Sequence, residues 1–303
     1  MGTRIEAVAT AHTHRGPFGQ GARKLADAAA RTCLARAHLE ASDIDLLVNA
    51  GLYRENNVSE PALAAMIQED IGANLGHPPR EGFHGTFSFD VANGGCGVLS
   101  ALDLLGGFVR SGTIQTGLIV ASDSDPGDCE SFPFPAVGGA VLVRPARGGE
   151  GFVDFAFETF DEGGGLFDSA ISWHEKKWHV PLSRPGKNVL EVVLGDGYES
   201  RAIECAEEAP RRFLARHELA VSSVDLAIFS QAPLGFADGL ATRLDLAQGR
   251  VARVADEFRG AHTAGPIAAL DAAIESGQFA AAKTILFATV GAGIVVGLAL
   301  YRN

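Results

Sequence analysis

The chain has 303 residues, 47% of them hydrophobic and 20% charged, with 37 glycines and a formal net charge of −12. That length supports one large or two medium domains with a substantial core, and the composition is that of a compact α/β enzyme. The acidic balance offers no basic stripe and argues against nucleic acid and anionic membranes as partners, while leaving room for an acidic ligand held by a few local cations.

Along the chain, the first residues, MGTRIEAVATAHTHRG, have no apolar core of the kind a signal peptide needs, so none is expected. Residues 34–50, LARAHLEASDIDLLVNA, read as a helix end, a short loop and a buried strand. Residues 51–67, GLYRENNVSEPALAAMI, read as a loop opening into a helix. There Pro61 pushes Glu60 out of helical backbone and suits the first helical position itself. Glu60 is then a carboxylate on a stiff loop, serving either as a helix-capping acid or as a positioned base.

The block FDVANGGCGVLSALDL at 89–104 runs from a strand through glycines and a cysteine into a helix. Cys96 at the head of that helix sits near free N–H groups and the positive end of the helix dipole, both of which favour a thiolate. Its flanking glycines let a substrate approach and leave backbone amides free for an oxyanion. The plainer alternative is a small buried cysteine that packs well. Cys33, Cys96, Cys129 and Cys205 are widely spaced with no CxxC pair, which points to reduced thiols in the cytosol rather than to disulfides or zinc.

Residues 214–230, LARHELAVSSVDLAIFS, repeat 34–50 at an offset of 180, with seven of thirteen positions identical across 34–46. ALDLLGGFVRSG at 101–112 is matched by ALDAAIESG at 269–277, each leading into an apolar strand. The chain therefore reads as a duplicated α/β domain, with an N-terminal half at 1–150, a connection at 151–187 and a C-terminal half at 188–303. Cys96 lies six residues before Leu102 and Ala264 six before Leu270, so the AHTAG loop with His262 occupies in the second half the place of NGGCG in the first. Packing of the halves about a pseudo-twofold axis would make Cys96 and His262 neighbours, with His262 either a base for the thiol or a structural histidine. The uncharged run TILFATVGAGIVVGLALY, 284–301, is long enough for a membrane span, but its glycines and β-branched residues fit two buried strands and a turn better. Gly291 and Gly293 within it fit a buried turn that needs positive φ. The aromatic and basic stretch ISWHEKKWHVPL, 171–182, lines a substrate channel, touches a partner or is ordinary half-exposed surface.

The blocks FDVANGGCGVLSALDLLGGFVRSG and GAGIVVGLALYRN resemble the nucleophile block and the C-terminal glycine loop of ketoacyl synthase III relatives in the thiolase superfamily. GLYRENNVSEPALAAMI resembles OleA-type enzymes, which join two fatty acyl-CoA molecules head to head by a non-decarboxylative Claisen condensation. The resemblance implies a thiolase fold with duplicated αβαβα layers and mainly parallel sheets. It also implies Cys96 as the acyl-accepting nucleophile, Glu60 as a base reaching across a dimer interface, and Gly291 and Gly293 as part of the oxyanion loop. Two positions depart from the pattern: Ser230 in FSQAPLGF stands where relatives carry a histidine, and His262 stands near their asparagine. A serine hydroxyl does not titrate usefully and cannot shuttle a proton.

The resemblance with these departures implies the glutamate-donating subunit of a heterodimeric condensing enzyme. Its expected partners are fatty acyl-CoA and a homologous thiolase-like subunit with an intact Cys, His and Asn set. It is expected in the cytoplasm, with no cofactor besides the acyl-CoA substrate and no membrane span. The alternatives are a self-sufficient acyltransferase using Cys96 and His262, and a non-catalytic stabilising partner.

Overall fold

The structure, a computed structural model, describes residues 2–13, 21–57, 59–76, 85–126, 132–161, 165–175 and 186–303. The elements alternate as the duplicated pattern requires: β1 Thr3–His12, α1 Ala22–Ala37, β2 Leu46–Asn49, α2 Leu63–Ile71, β3 Phe87–Asp90, α3 Gly97–Arg110, β4 Gly117–Asp123 and β5 Val137–Pro145 in the first half. There follow β6 Gly151–Thr159, the pair β7 Phe167–Glu175 and β8 Gly186–Leu194, then α4 Tyr198–Ala215, β9 Leu226–Phe229, α5 Phe236–Arg243, α6 Gly265–Glu275, β10 Thr284–Gly291 and β11 Val295–Arg302.

A five-stranded sheet has the order β1-β5-β4-β2-β3 and a four-stranded sheet the order β6-β11-β10-β9. Both are mixed. The crossover-linked strands β2–β3, β2–β4 and β9–β10 run parallel, and the strands at the other edge, β5 with β4 and β1, and β11 with β10 and β6, run antiparallel.

The repeat in the sequence persists in the backbone. The helix ends at His38 and Glu218, 180 residues apart, both turn left-handed, at φ 55° and 58°. Asp45 Oδ2 accepts the amides of Gln115 and Thr116 at the start of β4, and Asp225 Oδ2 accepts those of Lys283 and Thr284 at the start of β10. Each copy thus uses one carboxylate to set the register of its neighbouring parallel strand.

Side-chain alternation builds the layers. Leu46 and Val48 of β2, with Leu226 and Ile228 of β9 and Ile285 and Phe287 of β10, face a shared core formed by α3 and α6 between the sheets. The alternate residues Leu47, Leu118 and Val120 meet α1 and α2 on one outer face, and Ala227, Phe229 and Leu286 meet α4 and α5 on the other. The result is five layers, α/β/α/β/α. Helix α1 buries Ala22, Leu25, Ala26, Ala29, Ala30, Cys33 and Leu34, a stripe with alternating steps of three and one.

Two expectations change. Residues 151–159, placed in the connection by the sequence, form β6 and pair with β11 across Gly151–Thr159. The reason is aromatic packing: Phe152 meets Phe155, Phe287 and Tyr301 with ring centroids 5.0, 5.6 and 5.0 Å apart. The β7–β8 hairpin also continues to Leu194, beyond the expected boundary at 187. The apolar run at 284–301 is two antiparallel strands joined at Gly291 and Val295, and among the described residues no helix is long and apolar enough to cross a membrane.

Leu99 is wholly buried in α3, whereas Leu104 on the same helix is 45% exposed. Leu99→Ala is expected to cost about 2–5 kcal/mol of unfolding free energy and Leu104→Ala about 0.5 kcal/mol or less, as read from urea denaturation.

Candidate active site

The backbone before α3 is shaped to bring a thiol into the interface between the halves. Gly94 takes φ 49°, Gly94–Cys96 form a 3-10 turn, and the Cys96 amide donates to Asn93 O at 2.9 Å. A Cβ on Gly95 would lie 2.3 Å from the carbonyl oxygen of Val290, so this turn runs against the end of β10 from the other half. Cys96 does cap α3, as the sequence suggests.

Its thiol, however, is fully buried, with Sγ 3.5 Å from Val295 O and facing Thr289 and Gly297. Burial pushes the thiol up to about 11, overriding the hydrogen bonds from Thr289 and Gly297 that favour the thiolate. The expected thiolate is therefore not the resting form of this chain. Removal from water outweighs the helix terminus.

Gly291 closes β10 beside this thiol, and a Cβ there would lie 3.7 Å from Sγ. Gly293 sits at the apex of the β10–β11 turn with φ 116° and nothing within 4 Å of its Cβ position, which accounts for that glycine by backbone conformation. Ser230 follows β9 and is buried beside the same turn, 3.7 Å from the Cβ position of Gly95. Its Oγ accepts the Val290 amide at 3.1 Å, so this hydroxyl holds β10.

His262 lies in the loop before α6, and its carbonyl accepts the Gly265 amide at 3.1 Å. Its ring stacks on Phe134 with centroids 4.4 Å apart and an interplanar angle of 14°, and Tyr53 and Phe167 lie at 5.5 and 6.2 Å. Nε2 is 4.0 Å from the Cβ position of Gly94, so the two equivalent loops do face each other across the pseudo-twofold. Nδ1 is 3.7 Å from Asp123 Oδ2.

Asp123 went unnoticed in the sequence. Its signal is an acid closing β4, a strand in which all seven positions are buried. Oδ1 accepts the amides of Leu52 and Tyr53 at 3.2 and 2.9 Å, and Oδ2 accepts the amide and hydroxyl of Thr263 at 2.8 and 2.6 Å. Burial works to raise its pKa, but the adjacent imidazole and these donors outweigh it and hold the carboxyl below the usual range. Also unforeseen is the aromatic box of Tyr53, Phe132 and Phe134, which joins the β7–β8 hairpin through Phe167, Leu190, Val192 and Leu194.

Glu60 is exposed, outside this buried cluster. Helix α2 begins at Leu63, after Pro61, so the proline does not take the first helical position. The amides of Leu63 and Ala64 donate to Asp90, each at 2.8 Å, so the capping acid is Asp90 on β3 rather than Glu60. Arg54 braces the Glu60 loop: it donates to Ser59 O at 3.1 Å and lies 3.6 Å from Asp90. Residues 171–175 of the aromatic stretch lie in β7, with Ile171 and Trp173 exposed; 176–182, like Cys129, lie outside the described residues.

A cysteine heads a helix buried between two duplicated sheets and is met by the loop before the equivalent helix, the arrangement expected of a thiolase fold. Residues 214–303 match the family described as 3-oxoacyl-[acyl-carrier-protein (ACP)] synthase III C terminal. The chain is 30% identical over 296 residues to a β-ketoacyl-[acyl-carrier-protein] synthase III of Solibacter usitatus, covering 90% of this chain and 82% of that one. It belongs to the β-ketoacyl-[acyl-carrier-protein] synthase III family.

Among solved structures, 3-oxoacyl-[acyl-carrier-protein] synthase III from Aquifex aeolicus superposes with a TM-score of 0.77 at 21% identity, over 100% of both chains. A Cys-to-Ser variant of Xanthomonas campestris OleA with bound lauric acid and lauroyl-CoA gives 0.78 at 14% identity, over 100% of this chain and 99% of that one.

Two measurements follow from the buried charges. With the thiol at about 11, the ultraviolet thiolate absorbance of Cys96, read as the difference between wild type and Cys96→Ala, should be absent at neutral pH and still growing between pH 9 and 10; a signal complete near neutrality would show a stabilised thiolate. The Asp123 pKa is depressed on folding, so its contribution to stability is full above the unfolded value of about 3.9 and fades as pH falls through the lower folded value. The stability gap between the wild type and Asp123→Asn, measured by denaturant titration, should therefore be widest near neutrality and narrow in acid.

Proposed function

We propose that this chain is the base-donating subunit of a heterodimeric, non-decarboxylative Claisen condensing enzyme acting on two fatty acyl-CoA thioesters. Its partner is a homologous thiolase-like subunit with its own cysteine, histidine and asparagine. The observation that carries the reading is the contrast between the two acidic groups. Cys96 is sealed and protonated beside a serine that serves as a backbone acceptor, while Glu60 stands exposed on a braced loop.

The position of Glu60 supports delivery to another subunit. Three residues after it, the α2 N-terminus is held by Asp90 of β3, which is an outer strand of the first sheet. Phe87 on β3 is 62% exposed, with its ring beside Phe89, which gives that edge an apolar group suited to a second subunit. A partner strand joining that edge would bring its pocket to the Glu60 loop.

In the proposed step the partner's cysteine first displaces CoA thiol from one acyl-CoA and carries the acyl group as a thioester. The Glu60 carboxylate takes a proton from the α-carbon of the second acyl-CoA. The resulting carbanion attacks the acyl carbonyl, a carbon–carbon bond forms, and the cysteine leaves as thiolate, giving a β-ketoacyl-CoA. No cofactor enters. Burial at the interface would make the carboxylate a stronger base than it is in water.

Glu60→Gln in the co-purified pair should lower condensation turnover by about 10²–10⁴-fold, the usual contribution of a general base, with Cys96→Ala leaving turnover unchanged. Unaltered turnover in Glu60→Gln rejects the assignment. If neither variant matters, the chain is a stabilising partner.

A second reading has its own observation: the buried Asp123–His262 pair faces the Cys96 loop. Under it the chain is a self-sufficient acyltransferase. An acyl group trapped on Cys96 of the isolated chain, and lost in His262→Ala, would establish that reading.

A further inference from the structure

The loops from the two halves share one anion. Asp123 accepts four hydrogen bonds, two from the segment leading toward Glu60 and two from Thr263, and faces the His262 ring from its Nδ1 side. The ring cannot swing freely, because Phe134 lies parallel to it and Tyr53 and Phe167 flank it. Its Nδ1 is buried with no hydrogen-bond partner at present geometry, at ion-pair distance from the carboxylate. Its Nε2 is turned toward Gly94.

A neutral imidazole in that slot has two tautomers, and the choice is electrostatic. With the proton on Nδ1, an N–H dipole points at the carboxylate; with the proton on Nε2, a lone pair faces an anion. Among the described residues, Tyr53, Tyr198 and Cys96 add no competing charge near the ring and the thiol. Burial raises the pKa of Tyr53, with Asp123 adding to the effect, and raises those of Tyr198 and Cys96, so all three stay protonated.

We infer that Asp123 is a positioning residue that holds His262 as the Nδ1–H tautomer, with an unprotonated Nε2 facing the loop that carries Cys96. This deepens the second reading and rests on it for its catalytic meaning: Nε2 would be the free proton acceptor facing the loop that carries Cys96, and an imidazolium formed there would keep its Nδ1–H toward Asp123. A similar acid behind a catalytic histidine loses about 10⁴ in kcat when changed to asparagine, through the wrong tautomer.

The test is ¹H–¹⁵N correlation of the full chain with ¹⁵N-labelled histidine, on the neutral ring, with His262→Gln identifying the signals. Wild type should show protonated Nδ1 and unprotonated Nε2 at His262. Asp123→Asn should shift the population toward Nε2–H, while Thr263→Val, which keeps the carboxylate and removes one hydroxyl, should leave it unchanged. A wild-type ring protonated on Nε2, or Asp123→Asn retaining the wild-type tautomer, overturns the inference. If Asp123→Asn fails to fold, the wild-type spectrum decides alone. The spectrum needs no substrate, so failure to trap an acyl group on Cys96 and failure of the tautomer assignment are separate results.

Discussion

The close approach of the two halves at the head of α3 governs everything else in this molecule. Gly95 admits the Val290 carbonyl where any side chain would collide, and a Cβ on Gly297 would come within 3.3 Å of Cys96 Sγ. Contact this tight leaves no room for water around the thiol. A larger residue at 95 would have to lever α3 away from β10, and with it separate the central layer that both sheets share. The same geometry that places a cysteine at a helix terminus therefore also removes the solvent that would stabilise its anion.

That exclusion of water sorts the acidic groups by role. Cys96 has too few partners to remain charged, whereas Asp123, equally buried, collects four hydrogen bonds and an imidazole and stays ionised. Glu60 avoids the problem by lying outside the buried region, on a loop braced by Arg54 and followed by a helix that Asp90 caps. In the proposed heterodimer, a second subunit would exclude water from this carboxylate and let it act as a base. Ser230 belongs to the structural side of this division, because its hydroxyl is committed to the Val290 amide.

Much of the architecture was legible without coordinates. The 180-residue offset carried over to matching left-handed helix ends, to Asp45 and Asp225 at matching strand starts, and to β2 and β9. Local rules explain this: a buried parallel strand needs a continuous apolar run, and an amphipathic helix needs its stripe. The connection was misjudged at 151–159 because β6 is an edge strand whose partner, β11, lies some 140 residues away. Its pairing depends on aromatic contacts between segments, and no local pattern records those.

For the candidate site, the sequence by itself determined which residue types stand at the two equivalent helix starts. From the duplication alone it put Cys96 and His262 in facing loops. It also made Ser230 visible as a residue unable to titrate. Tertiary structure decided the rest: the protonation of the thiol, the transfer of the α2 cap to Asp90, and the role of Asp123 as the anion between loops. The physical reason is that charge states and hydrogen-bond partners depend on what lies within a few ångströms in space and on how much water remains there. Both are set when distant segments pack, and neither is written at any single stretch of the chain.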